Sequence, residues 1–480
     1  MNVLCQAKRI LHLTPQTDRP TRRKVKSQSA RWGSADQTDG RSRARPPRSG
    51  ARASRNASSL FRTKDLSTDA RFGIRSSTRR RRSKYVETVQ DTSTQDRRWL
   101  LILRAVWVVL MSLLVLRYVW TQVDPDRPLK FSRLINFAHE RNFPLLPEVE
   151  ALEPQMLSRF GYDGQFYAQM AVRPSLRPAE TMVPLFDLPS YRARRILLPA
   201  LAWTLGAGRP AAVLDVYASL NVVFYIVFCL VLAFGFRART VRDFAVITAL
   251  ALAPGTLLSI KCALTDLPAV TLTLLGLLTA NYVGAWIMAA AILTRESSIL
   301  TLASIIKTKD HRLVIDRNLI MRILIAVVPF ALWAAYVRYS FGAEPGIAPP
   351  NFGFPLVGWV EAVTLRFQEL FIRLNESFNL KNLKPFVELA ALVALLAQML
   401  FLSVHARWKS PTWRYGAGYV VFGVCLGMAV LEAQSAYQRA LLPMTIAFFL
   451  ELRERPAPGF WIWFCAGSLS TPFLLLPYLR

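Results

Sequence analysis

A single carboxylate stands in a loop of glycines and aromatics, Gly161-Tyr162-Asp163-Gly164-Gln165-Phe166-Tyr167. A long apolar run, 99–120, precedes it, and an arginine-rich stretch, Tyr191-Arg192-Ala193-Arg194-Arg195, follows. An ionisable residue next to lipid is costly unless it has a task or a partner. Asp163 has the chemistry of a general base, and Gly164 allows close backbone approach. Tyr162, Gln165 and Tyr167 can line a bound molecule. Arg192, Arg194 and Arg195 suit the geometry of a phosphate. Each has a plainer reading. Asp-Gly is a common turn, and arginines at a membrane surface act as anchors.

Further along, Asp266 opens an apolar run, Arg295 and Glu296 interrupt another, and Gln438 and Arg439 precede a third. Asp266 also suits a helix N-terminus by its charge. Arg295 and Glu296 also suit a buried pair. The cysteines, Cys5, Cys229, Cys262, Cys425 and Cys465, are scattered, and so are the four histidines. No spacing suggests disulfides or a structural zinc site.

The elements that must hold these residues are membrane helices. Of the 480 residues 52% are apolar, and the mean hydropathy is +0.26. Several runs approach the roughly 20 residues that span a bilayer. Residues 1–98 differ: 25 Lys and Arg stand against 8 Asp and Glu, with few large apolar residues. That composition predicts a disordered arm. Its place before the first span suits a cytoplasmic polybasic anchor better than a nucleic-acid-binding arm, and no nucleic-acid partner is expected. A cleaved signal peptide does not fit an apolar run that starts near 99.

Candidate spans are 99–120, 211–236, 243–259, 266–283, 318–341, 384–405, 413–432, 440–452 and 458–478. The stretch 285–306 reads as one span or as two short ones broken near Thr294-Arg295-Glu296. Basic loops at 237–242, 307–312, 405–409 and 453–455 fall on one side if it crosses twice. The predicted class is an all-α polytopic membrane protein of about ten or eleven crossings. Residues 121–210 and 342–383 then form two outer loops. Segments 196–207 and 356–374 read as interfacial helices, the latter from its apolar face. Asp163, Asp266, Arg295, Glu296, Gln438 and Arg439 all fall toward the outer face.

This order of motifs resembles the GT-C superfamily of polytopic membrane glycosyltransferases over roughly 99–450. Tyr162-Asp163-Gly164-Gln165-Phe166-Tyr167 is similar to an Asp-Gly-x-x-Tyr pattern of its bacterial branches. Arg194-Arg195-Ile196-Leu197-Leu198-Pro199 is similar to a following Arg-x-Leu-x-Pro stretch. Thr265-Asp266-Leu267-Pro268, Leu293-Thr294-Arg295-Glu296 and Gln438-Arg439-Ala440-Leu441-Leu442-Pro443 match later elements. The resemblance implies transfer of a sugar from a polyprenyl-phosphate donor to an envelope lipid, glycan or protein acceptor, at the outer face of a bacterial cytoplasmic membrane. Asp163 would be the catalytic base. The substrate-binding set would be Tyr162, Gln165, Tyr167, Arg192, Arg194, Arg195, Asp266, Arg295, Glu296, Gln438 and Arg439. Asp163 has no acidic neighbour, so no paired-acid motif supports a divalent metal, and no cofactor is called for. The competing readings are a transporter or flippase, which internal repeats would mark, and a non-catalytic assembly factor for an envelope polymer.

Overall fold

A computed structural model describes residues 77–138, 143–279, 281–309, 312–342, 351–376, 384–433 and 435–472. The described chain is almost wholly helical. As far as residue 76, the expected disordered arm lies outside the described residues. From Ser77 onward the chain is already helix: α1, Ser77–Gln122, runs into the first apolar span without a break. The boundary of the arm therefore moves from 98 to before 77. Extending an existing helix adds a hydrogen bond per residue without a new nucleation step, and the Arg, Lys and Gln of this stretch favour it.

Among the described residues, five helices are long and apolar enough to cross a membrane: Arg97–Gln122, Pro210–Gly235, Val241–Lys261, Arg317–Phe341 and Lys384–Val404. Three more apolar helices are shorter, Asp266–Thr279, Tyr282–Thr294 and Leu442–Leu452. The expected interfacial segments 196–207 and 356–374 are both helical, over Leu197–Leu205 and Val357–Glu376. In chain order, α2 is Gly164–Val172, α3 Leu197–Leu205 and α4 Pro210–Leu230. Next come α5, Val241–Ala251, and α6, Pro254–Lys261, then α7, Asp266–Thr279, and α8, Tyr282–Thr294. The rest are α9, Arg317–Phe341, α10, Val357–Glu376, α11, Lys384–Val404, α12, Pro411–Val424, α13, Ala436–Ala440, and α14, Leu442–Leu452. Two small strand pairs join loop segments, Phe137–Ala138 with Met156–Ser158 in parallel, and Lys307–Lys309 with Arg312–Val314 antiparallel.

The core gathers on α4 and α14. In α4, Val213, Leu214, Tyr217, Ala218, Asn221, Tyr225 and Phe228 recur at helical spacing and are all buried. Every residue of α14 is buried. By contrast α9 buries only Leu319, Ala326 and Val337, so most of its apolar surface faces outward. A helix apolar all round but covered on one side is what lipid permits.

Two breaks matter for the site. Pro254 cannot donate a backbone N–H, and it separates α5 from α6. The Thr256 hydroxyl donates to the Leu250 carbonyl at 3.1 Å, so the freed acceptor stays satisfied. The second break is at Arg295, which is extended (φ −155°, ψ 119°) between α8 and a 3₁₀ run, Glu296–Ile305. This is the interruption expected near Thr294-Arg295-Glu296. The run lies along α12 in the opposite direction: Tyr419 donates to the Ser297 carbonyl, and Arg414 to those of Ala303, Ser304 and Ile306. At about 2 Å per residue, ten 3₁₀ residues travel about 20 Å. The segment 285–306 therefore runs toward one end of the bundle and back.

Each end gathers its own loops. At one end Arg104 donates to the Ala238 carbonyl, Arg453 pairs with Asp243 at 2.6 Å, and Arg242 donates to the Arg455 carbonyl. At the other end the loops that follow α1, α6, α8 and α12 meet.

Candidate functional site

Asp163 is the N-cap residue of α2, and its carboxylate stands at the positive end of that helix. Every residue of α2 is buried. A Cβ at Gly164 would lie 2.1 Å from the Cys262 carbonyl oxygen, so only glycine lets α2 reach this depth. Gln165 is buried in the loop itself. Its Oε1 accepts from the Ala138 backbone, and its Nε2 donates to the Phe160 carbonyl. Gln165 therefore holds the loop's shape and does not face a ligand, which corrects its expected place in the binding set. An amide in a tight Gly/aromatic loop has backbone groups to satisfy first.

Around Asp163 the expected charges converge from distant parts of the chain. Arg192 Nη1 lies 2.9 Å from Asp163 Oδ2, and Arg439 Nη2 lies 2.5 Å from the same oxygen. Both contacts use Oδ2. Arg192 also pairs with Asp187 at 2.7 Å. Arg439 lies 3.8 Å from Asp266, which pairs in turn with Arg295. The guanidinium of Arg439 sits over the Tyr162 ring at 5.2 Å. Arg195 pairs with Glu296 through two nitrogens at 2.8 and 2.6 Å. Its other donors reach the Tyr167 and Tyr191 hydroxyls at 2.6 and 2.5 Å. The result is one chain of four acids and four arginines, with Tyr167 joining Arg195 to Arg192.

Local structure explains the convergence. The Trp333 indole donates to the Ala193 carbonyl at 2.8 Å and the Tyr336 hydroxyl to the Ser175 carbonyl at 2.6 Å, so α9 pins the arginine stretch. Tyr217 donates to the Ala263 carbonyl at 2.7 Å and fixes the turn before Asp266. A Cβ at Gly255 would lie 2.7 Å from the Gln438 carbonyl, so α6 fits tightly under α13 and sets Arg439.

The electrostatics favour ionised partners. Burial alone would raise the Asp163 carboxyl, but Arg192 and Arg439 more than offset it and hold it well below the ordinary carboxylate range. Burial works against the Arg439 charge, and Asp163 reverses that and raises the guanidinium. The two nearest acids, Asp163 and Asp266, each face a guanidinium, and among the described residues no three His, Cys, Asp or Glu converge as a metal would need. The donor set does not fit a dication, and no step is derived through one.

Two expected residues lie elsewhere. Gln438 turns its side chain from the ion pairs into a narrow gap bounded by Gly255, Gln398 and Thr445, with Oε1 buried and unpartnered. Adjacent helical positions point about 100° apart, so Arg439 and Gln438 cannot both face one site. Arg194 stands in the irregular turn after Arg192 and does not join the ion pairs that Arg195 makes. It lines a separate pocket of about 390 Å³ with Ser190, Val337, Arg338 and Gly342. Neither Arg194 nor Arg338 has an acidic partner among the described residues. Next to it an open apolar groove of about 360 Å³ runs between Ile196, Leu293, Pro329, Leu332, Trp333 and Tyr336.

Asp187, Tyr191 and Arg338 were not legible as site residues. Tyr191 stands four residues before Arg195, a helical spacing that could have flagged it. Asp187 is five before Arg192 and Arg338 is remote, so no spacing points to either. Comparison with known proteins finds no matching family model, no matching curated protein and no matching solved structure.

Proposed function

We infer that this protein is a membrane glycosyltransferase of GT-C-like architecture, with about ten or eleven crossings when the short and broken helices are counted. It moves a sugar from a polyprenyl-phosphate donor to an envelope lipid, glycan or protein acceptor. The N-terminus is on the cytoplasmic side of a bacterial cytoplasmic membrane, and the Asp163 end faces outward. The observation that carries this reading is the meeting of Asp163 with Arg192, Arg439, Asp266, Arg295, Arg195 and Glu296 at one end of the bundle. Motif residues that are unrelated in sequence share one site there. Beside it lies a groove that suits an amphiphile.

In this reading the polyprenyl chain lies in the apolar groove along α9, and Arg194 and Arg338 receive its phosphate. They are better placed than Arg195, whose three nitrogens are each engaged. The acceptor hydroxyl gives its proton to the Asp163 carboxylate as its oxygen bonds to the sugar's anomeric carbon. The bond from that carbon to the phosphate oxygen breaks, and the lipid phosphate leaves with its charge on the arginines. Inversion at the anomeric carbon follows from this single displacement. A carboxylate held far below its ordinary pKa is a weak base. Drawing Arg192 toward the donor phosphate would strip one cation from Asp163 and strengthen it as the acceptor arrives.

A flippase shares the groove and the arginine pair but has no use for a base. The deciding experiment supplies purified protein with a labelled polyprenyl-phosphate sugar and membrane extract. Transfer of label to an acceptor supports the enzyme. Movement of the intact donor across the bilayer without transfer supports the flippase.

A further inference from the structure

The end of the bundle opposite Asp163 carries a cleft of about 730 Å³, between the turn that joins α11 to α12 and the end of α14. Its volume is in the range of sites that hold small molecules, roughly 300–1,000 Å³. Its lining is apolar at Phe236, Leu450 and the Trp408 ring, which is 68% exposed. It is charged at Arg407, Lys409 and Arg453 and at Glu451 and Glu454.

The charges are not equivalent. Arg453 is occupied by Asp243 and the Phe236 carbonyl. Glu451 is buried, and it accepts from the Ser410 and Thr412 hydroxyls and, at 3.4 Å, from Arg407. These donors hold it in place, and it offsets part of the Arg407 charge. Glu454 is exposed on the rim, where water screens it. Lys409 is exposed with no ion pair among the described residues, and Arg407 is half-exposed with only that one long contact. Two available cations thus line the same cleft as Phe236, Leu450 and Trp408.

We propose that this cleft binds the phosphate of an anionic amphiphile, with the cations on the phosphate and Phe236, Leu450 and Trp408 against the apolar part beside it. An exposed tryptophan beside basic residues is the pattern of a bilayer interface, and each basic residue near an anionic surface adds attraction. The site is independent of the glycosyl-transfer reading, since it lies at the other end of the molecule.

The test places the full-length protein in nanodiscs of phosphatidylcholine alone or with phosphatidylglycerol, and reads both Tm and the phospholipid retained in native mass spectrometry. Phosphatidylglycerol should raise Tm and be retained selectively. Lys409→Ala should weaken that retention about fivefold and leave Tm in phosphatidylcholine unchanged. Arg239→Ala, an exposed arginine at the same end but outside the cleft, should retain the lipid as wild type does. Inorganic phosphate added to phosphatidylcholine discs separates the sources: protection equal to that of the lipid keeps the phosphate seat and assigns it a soluble ligand. No selectivity for phosphatidylglycerol and no protection by phosphate overturn the proposal, as does an equal loss in Lys409→Ala and Arg239→Ala.

Discussion

Replacing Asp163 by Asn separates the counterion seen in the structure from the base that the proposed function assigns to it. The side chain keeps its shape and can still accept a hydrogen bond. What is lost is one negative charge from a chain of four acids and four arginines, which leaves a net charge of +1. Breaking a well-buried pair costs about 3–5 kcal/mol. Here the cost is smaller, because Arg192 keeps Asp187 at 2.7 Å and Arg439 keeps Asp266 at 3.8 Å. A destabilisation of about 1–3 kcal/mol is expected, the range for losing charge-assisted hydrogen bonds. A positioned base contributes about 10²–10⁴-fold to turnover. The double variant Asp163→Asn/Arg439→Gln removes the surplus cation and should recover much of the stability. If Asp163 is the base, transfer from a defined lipid-linked donor stays 10²–10⁴-fold down in both variants. Turnover that returns with stability in the double variant would make Asp163 a counterion only and refute the catalytic assignment.

The remaining expectations concern binding, pH and topology. Arg194→Ala and Arg338→Ala should each raise KM for the lipid-linked donor about tenfold, as for losing one charged hydrogen bond, while thermal unfolding stays near wild type; an unchanged KM removes the pair from the phosphate. The Asp163 carboxyl is depressed in the folded protein, so its contribution to stability is full above about pH 3.9 and is lost only as pH falls through the much lower folded value. The stability gap between wild type and Asp163→Asn should therefore be flat from neutrality to about pH 4, and kcat/KM should show no acidic limb from Asp163 in that interval. Single cysteines at positions 163 and 239 should label from opposite sides of sealed vesicles, and labelling from one side would end the two-ended topology.

How much of this was legible in the sequence depended on spacing. The long spans carry their signal in sustained apolarity, and four of the expected boundaries, at 99–120, 211–236, 318–341 and 384–405, agree with the helices within a few residues. Charge interruptions were equally readable: Thr294-Arg295-Glu296 is a helix end because two ionisable residues at that depth need partners, and Asp266 and Arg195 supply them. Side-chain direction was not readable where the local backbone is irregular. Arg194 and Arg195 are neighbours in one motif, yet one enters the ion pairs and the other a separate pocket. Gln165 and Gln438 looked like ligand contacts by type, but one holds its own loop and the other faces a gap between helices. The start of α1 was missed for a different reason, since composition measures the capacity to form a core and a helix extended from a membrane span needs none.

The two sets of arginines at the Asp163 end differ in what they can do for an incoming anion. Arg195 and Arg295 have carboxylate partners within the network, so an anion that engages them must first displace an acid that the network needs. Such exchange is costly where the displaced charge stays buried. Arg194 and Arg338 have no acid to give up among the described residues, and their pocket opens beside the groove of α9. Under the proposed function, a lipid phosphate arriving from the bilayer would meet the uncommitted pair first. Arg192 stands between the two sets: it contacts Asp163, but Asp187 offers its second partner at the more exposed side. It can turn from Asp163 toward a phosphate without stranding a buried carboxylate, since Arg439 remains on Asp163. This makes Arg192, rather than Arg195, the residue through which donor binding can be felt at the base.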